Sequence, residues 1–289
     1  GSRIRDIAYT FETDSYTGSD LSILAQHLFE GYTITEMTYA QEPYSQVLAL
    51  RNDGHMMVCT YHREHQVTAW YEWEIPNTTI KSMAVISEGQ QDVLYVGVET
   101  TVNGSIEQYL LRLHEINWQV AEDARCLDLA AAYDGTATTR ICGLRHLEGE
   151  TVTALADGNV VNNLTVTNGC VTLPYAASKV SIGRGYNCDL QTLPIDLNEA
   201  AVRGDYKSVN TVVLSFLDSR GGWIGQDASN LVEIKPRYDA DGYDSIQLRT
   251  YEKKFVFPPG WTENGQIYFR QTDPLPVTIL AISPEVSIG

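Results

Sequence analysis

The chain reads as an all-β protein, and three observations carry that reading. Short alternating or apolar runs recur along it, Asx-Gly pairs stand between several of them, and 17 Tyr, 5 Trp and 22 Gly favour strands and turns over helices. With 43 % hydrophobic and 20 % charged residues over 289 positions, it is ordinary globular material with room for two or three domains.

One helix is expected near the start. Ser19 or Asp20 offers an N-cap, Leu21, Leu24, Ala25 and Leu28 share a helical face, and Gly31 follows as a stop, so residues 20–29 read as a short docking helix. Residues 47–51, 55–61 and 67–74 then form a meander turned at Asn52-Asp53-Gly54. A second set follows at 80–87, 93–101 and 106–113, its last turn at Asn103-Gly104. Strands at this spacing suit propeller blades or a sandwich.

Residues 119–133 read as a second short helix or a linker, and the turn-rich segment Asp134-Gly-Thr-Ala-Thr138 marks a boundary, closing a first domain over 1–135. From 136 to 200 short strands alternate with Gly, Asn and Pro turns. They include 151–156 and 160–166 around Asp157-Gly158, and they predict a small β-barrel. The last unit, 201–289, opens on 208–217, with Val209, Thr211, Val213 and Ser215 on one face and Val212, Leu214 and Phe216 on the other. It closes on 267–271 and 276–283. This final strand is expected to fold back on the first domain, or else 47–51 or 106–113 to cover that domain's open edge.

Charge and cysteines exclude several functions. A net charge of −17 argues against tight duplex binding, which needs cations to displace counterions from phosphate. No run approaches the roughly 18 apolar residues of a membrane helix. Cys59, Cys126, Cys142, Cys170 and Cys188 are odd in number and include no CxxC pair, so five free thiols and no structural zinc are expected.

The candidate motifs are weak. Asp239, Asp241 and Asp244 around Gly242 resemble half a calcium loop without its closing Glu, and read better as a polar turn. His62 and His65 flank a strand end, where side chains diverge, and His146 with Glu148 lacks a third partner. GxSxG and the phosphate loop are absent, and Gly183-Arg184-Gly185 lacks the rest of a dinucleotide fingerprint. No catalytic, cofactor or metal residue is therefore expected. Arg220 and Trp223, in the glycine-rich turn 219–225, read as a subunit-contact loop, and Pro258-Pro259-Gly260-Trp261 as a packed turn.

The stretch 143–158, GLRHLEGETVTALADG, stands beside DLSILAQHLFEG at 20–31, QEPYS at 41–45, KSMAVISEG at 81–89, and PPGW, RQTDPLP and AISPEV within 258–286. In this order the chain resembles the C-terminal portion of the tubular tail, or nozzle, proteins of podoviruses and prophages. The resemblance implies a partial propeller rather than a sandwich. For the region of GLRHLEGETVTALADG it implies a small barrel of the kind labelled by likeness to a ubiquitin-activating-enzyme subdomain, with no catalytic residues. It further implies synthesis in the bacterial cytoplasm, a place in the virion tail, and a ring of copies touching other tail proteins, with DNA only as passing cargo. Family members are longer, so the chain reads as a C-terminal piece with Gly1-Ser2 as a cloning remnant. The alternative is a glycan-binding or glycan-cleaving tail protein, since exposed aromatic faces bind sugars.

Overall fold

The computed structural model describes residues 2–11, 14–114, 120–196, 204–238 and 246–289. Among them strand accounts for 59 % and helix for 3 %, so the protein is all-β, built of several antiparallel sheets. It divides into two units, Gly1–Glu115 and Ile116–Gly289.

The first unit opens with a hairpin, β1 (Ala8–Thr10) and β2 (Ser15–Thr17). Strands β3 (Ile34–Ala40), β4 (Gln46–Arg51), β5 (Met56–His62) and β6 (Val67–Trp73) follow as a meander paired in chain order. A second meander holds β7 (Thr78–Glu88), β8 (Gln91–Val102) and β9 (Ser105–Arg112), also in order. Both expected strand sets are thus present, with 47–51 inside its sheet and 106–113 at the edge of the other. Side chains alternate across β5. Met56 and Val58 pack with Leu48 and Leu50 against Ile80, Leu94, Val96 and Val98 of the second sheet, while Met57 packs with Ala49 against Ile4, Leu21, Ala25 and Phe29. The first sheet is therefore the middle layer of three, which explains its unbroken apolar run Met56-Met57-Val58-Cys59.

The expected helix at 20–29 does not form. The Trp70 indole donates to the Leu21 carbonyl (2.7 Å), which a helix would reserve for Ala25, and the Ala25 amide turns to Ser22 instead (3.0 Å). Asp20 accepts from both the amide (2.9 Å) and the hydroxyl (2.7 Å) of Ser22, an Asx turn that competes with helix. Only a 3-10 turn, Gln26–Leu28, remains. The segment still docks, but through Leu21, Ala25 and Phe29, leaving Leu24 92 % exposed.

In the second unit β10 (Asp128–Cys142), β11 (Thr151–Ala156), β12 (Asn159–Thr165) and β13 (Cys170–Arg184) form a sheet in the order 10-13-11-12. The expected boundary at 134–138 lies inside β10, where the register against β13 slips on either side of Thr138. The turn-type residues there mark a bulge, and the chain divides at 115/116. Before it, 121–123 form one 3-10 turn. Among the described residues no sheet closes into a barrel, so the 136–200 barrel is corrected to an open four-stranded sheet. Its β11–β12 turn is as expected: Asp157 (φ 47°) and Gly158 (φ 76°) both take the left-handed conformation of a tight hairpin.

Two further sheets face each other. One orders β14 (Cys188–Gln191), β19 (Tyr268–Gln271), β16 (Trp223–Gly225) and β17 (Leu231–Glu233) as 14-19-16-17. The other orders β18 (Arg249–Val256), β15 (Lys207–Ser219) and β20 (Thr278–Ile288) as 18-15-20. Val212, Leu214, Phe216, Phe255, Ile224 and Phe269 share the core between them. Val209 joins that core too, contrary to the simple alternation, because a bulge at Asn210 shifts the register against β20. The C-terminal strand, expected to return to the first domain, pairs with β15 of its own unit.

Candidate functional site

The turn bearing Arg220 and Trp223 is a fastening inside the second unit, not an exposed contact loop. Arg220 is 1 % exposed, its Nε donates to the Gln247 carbonyl (2.5 Å), and its guanidinium lies 5.8 Å from the Tyr238 ring. Gln271 holds the turn from the facing strand. Its Nε2 donates to the carbonyls of Arg220 (2.9 Å) and Leu275 (3.1 Å), while its Oε1 accepts from the amides of Thr272 (3.1 Å) and Asp273 (3.2 Å). Trp223 is half-buried and donates Nε1 to Thr272 Oγ1 (3.2 Å). A Cβ on Gly222 would stand 2.5 Å from Phe269 Cζ, so the turn has no room for another residue. The segment RQTDPLP thus reads as a clamp on Arg220-Gly221-Gly222.

The remaining sequence candidates disperse. His146 contacts the Leu129 carbonyl through Nε2 (2.8 Å), whereas Glu148 accepts the amides of Asn168 (2.7 Å) and Gly169 (2.5 Å), so the two serve separate turns. His62 and His65 do not diverge, since the 63–66 turn brings their ring centroids to 6.3 Å. Among the described residues no three His, Cys, Asp or Glu side chains could hold a metal. Asp239, Asp241 and Asp244 lie outside the described residues. Trp261 stays 55 % exposed beside Gly289, only partly packed.

A charged network fastens the N-terminal segment to the middle sheet. Arg51, 5 % exposed, donates Nε and Nη2 to Asp53 (3.1 and 2.6 Å), Nη2 to Glu72 (3.0 Å) and Nη1 to the Leu28 carbonyl (2.7 Å). Its guanidinium also lies 3.8 Å from the Tyr32 ring. Burial works against the charge on Arg51, but Asp53 and Glu72 override it and raise the pKa. Burial likewise opposes the charge on Asp53, and Arg51 still holds its carboxyl below the ordinary range.

What sequence reading missed is an exposed apolar surface on the hairpin of the first unit, with further apolar side chains exposed singly on its second meander. Tyr9 and Tyr16 are register partners in the hairpin, 50 % and 76 % exposed, with Ile7 (75 %) and Phe11 (88 %) two residues to either side of Tyr9. The alternation Ile7-Ala-Tyr9-Thr-Phe11 was the available signal. On the second meander, Ile86 (52 %), Ile106 (71 %) and Leu110 (74 %) lie on the face turned away from Leu94, Val96 and Val98. The Arg112–Glu88 and Lys81–Glu99 ion pairs lie between these three, so the hairpin residues alone group into an apolar surface of the kind that marks an interaction site.

No family model matches the chain, and no curated protein does.

The cysteines require a correction. Cys142 and Cys170 are register partners at the end of the β10–β13 ladder and form a disulfide. Neither the odd count nor the spacing hinted at it, because the pairing comes from strand register. Burial pushes the Cys59 thiol up to about 11 and that of Cys126 up to about 12, so neither is an activated nucleophile. Thiol titration of denatured, unreduced protein should therefore find three free sulfhydryls, those of Cys59, Cys126 and Cys188, and five after reduction. Five before reduction would refute the bridge.

Proposed function

We propose that this chain is a non-catalytic structural component of a phage or prophage tail, similar to nozzle proteins, and contributes to the conduit through which DNA leaves. The observation that carries the reading is the apolar surface of Ile7, Tyr9, Phe11 and Tyr16 on the hairpin of the first unit. An acidic chain gains nothing from exposing it to water unless it meets a protein partner. The ordered resemblance of five sequence stretches names the setting, and the partners it implies are copies of this chain and other tail proteins. The net charge of −17 fits cargo that slides, since a wall of carboxylates offers phosphate no charge-assisted contacts.

Electron microscopy of the purified protein, with duplex-DNA anisotropy and a glycan array alongside, tests the reading. Closed multimers with a lumen, DNA affinity weaker than about micromolar at physiological salt, and a blank glycan array are expected. A strictly monomeric protein, or tight duplex binding, would overturn it. Selective glycan binding would favour the alternative of a sugar-recognising tail protein.

A further inference from the structure

We infer that the Cys142–Cys170 bridge is exchangeable: a low-molecular-weight thiol attacks the Cys142 sulfur and stays there as a mixed disulfide, while Cys170 leaves as a thiolate beside Arg140. Cys142 is thus an S-thiolation site. This holds whatever the chain assembles with, so it stands apart from the tail reading.

The fold does not depend on the bridge. Cys142 is the last residue of β10 and Cys170 the first of β13, so the covalent link caps the end of a ladder that other bonds already close. Just beyond it the amides of Gly143 and Leu144 both donate to the Gly169 carbonyl (3.0 Å each), and Thr167 and Cys170 exchange backbone hydrogen bonds (2.9 and 3.2 Å). Opening the bridge therefore costs no strand pairing. Cys142 is also exposed, and exposed bridges are the ones that small thiols reach.

The direction of attack follows from the neighbours on each side. Exchange is in line, so it needs a clear approach to one sulfur and a stable thiolate at the other. At Cys142 the approach is open, since a Cβ on the adjacent Gly143 would meet nothing within 4 Å. At Cys170 it is crowded: a Cβ on Gly169 would stand 2.9 Å from Arg145 Cγ. The cation lies on the departing side. Arg140 shares a face of β10 with Cys142, and its Nη2 reaches across to 3.5 Å from Cys170 Sγ, where positive charge favours the thiolate and hastens its departure. Glu148, the carboxylate at this turn, is taken up by the amides of Asn168 and Gly169. Once protonated, the Cys170 thiol has an acceptor in the Asn168 carbonyl (3.5 Å). The electron pair of the old S–S bond leaves with Cys170, and the new S–S bond joins Cys142 to the small thiol. A second small thiol then attacks that mixed disulfide and frees Cys142, so two small thiols are oxidised to their own disulfide as the bridge is reduced.

Brief exposure to cysteamine, whose thiolate form is electrically neutral overall, is the test, followed by acid quench, iodoacetamide and tryptic mass spectrometry. Cleavage at Arg140 and Arg145 puts the two cysteines on separate peptides. Cysteamine should be found on Cys142 and the alkyl group on Cys170, in about tenfold excess over the reverse. Arg140→Ala, at an exposed position and checked for fold by circular dichroism, should slow bridge opening about threefold, and Arg140→Lys should restore most of the rate. Cysteamine on Cys170, or on both equally, would overturn the assignment, as would a bridge that opens only in denaturant. An unchanged rate in Arg140→Ala would overturn the role of the guanidinium. Five free thiols before any reductant would remove the bridge and the proposal together.

Discussion

Replacing Gly222 by alanine should destabilise the second unit by about 4 kcal/mol, the sum of a backbone conformation costing 1–3 kcal/mol for a side-chain-bearing residue and a packing clash of similar size. Gly222 sits at φ 106°, and the new methyl would stand 2.5 Å from Phe269 Cζ and 2.9 Å from its Cε2. The ring cannot swing away cheaply, because Phe269 is 4 % exposed and packs 6.3 Å from Phe216 in the core. Its neighbour supplies the control. At Gly221 (φ 73°) the nearest contact would be Asp273 Oδ2 at 3.3 Å, so the cost there should fall to about 1–2 kcal/mol, mainly backbone. Urea unfolding monitored by hydrogen exchange in β15, β16 and β19 measures both. Equal losses would show that the Phe269 ring yields and that the clash carries no weight.

Arg51→Ala should cost the first unit about 3 kcal/mol, the lower end for stranding the partners of a buried charge, since Asp53 and Glu72 keep some access to water. The Leu28 carbonyl and the Tyr32 ring lose their partner at the same time. Faster hydrogen exchange should appear in 20–30 and the β4–β5 turn before it appears elsewhere. Acid should act in the same place. The Asp53 carboxyl titrates below its unfolded value, so its contribution is full above the ordinary carboxylate pKa of about 3.9 and is lost as pH falls through the lower folded value. Wild type should therefore lose stability more steeply than Arg51→Ala below about pH 4. Parallel acid profiles would show that Arg51 does not set the Asp53 pKa.

The strands were legible where one physical signal dominated. Asn103-Gly104 and Asp157-Gly158 predict hairpin turns from two residues alone, and both take positive φ. The helix at 20–29 failed because its sequence carries helical periodicity while the competitor for its first carbonyl, the Trp70 indole, lies 49 residues downstream. The boundary at 134–138 failed because a β-bulge and a linker draw on the same residues. Arg220 looked like a contact residue because glycines surround it. Its burial depends on Gln271 and Gln247, which no local pattern connects to it. The outward placement of Ile86 and Leu110 stayed hidden for a related reason: they come to one side of a sheet only once β8 has joined β7 to β9.

The strand orders of the two units also set different timetables for acquiring structure. Strands β3 to β9 pair only with sequence neighbours, so the chain can zip them together as it lengthens, closing short loops each time. In the second unit β14 waits for β19, and β15 waits for β18 and β20. A chain synthesised from its N-terminus therefore carries Val212, Leu214 and Phe216 unpaired and wet until residues 249–288 emerge. Over that interval β15 is the segment most open to mispairing. The lysines of β18 and Pro284 of β20 lie on the two strands that finally flank it, and residues of this kind discourage further edge-to-edge growth once the sheet is complete.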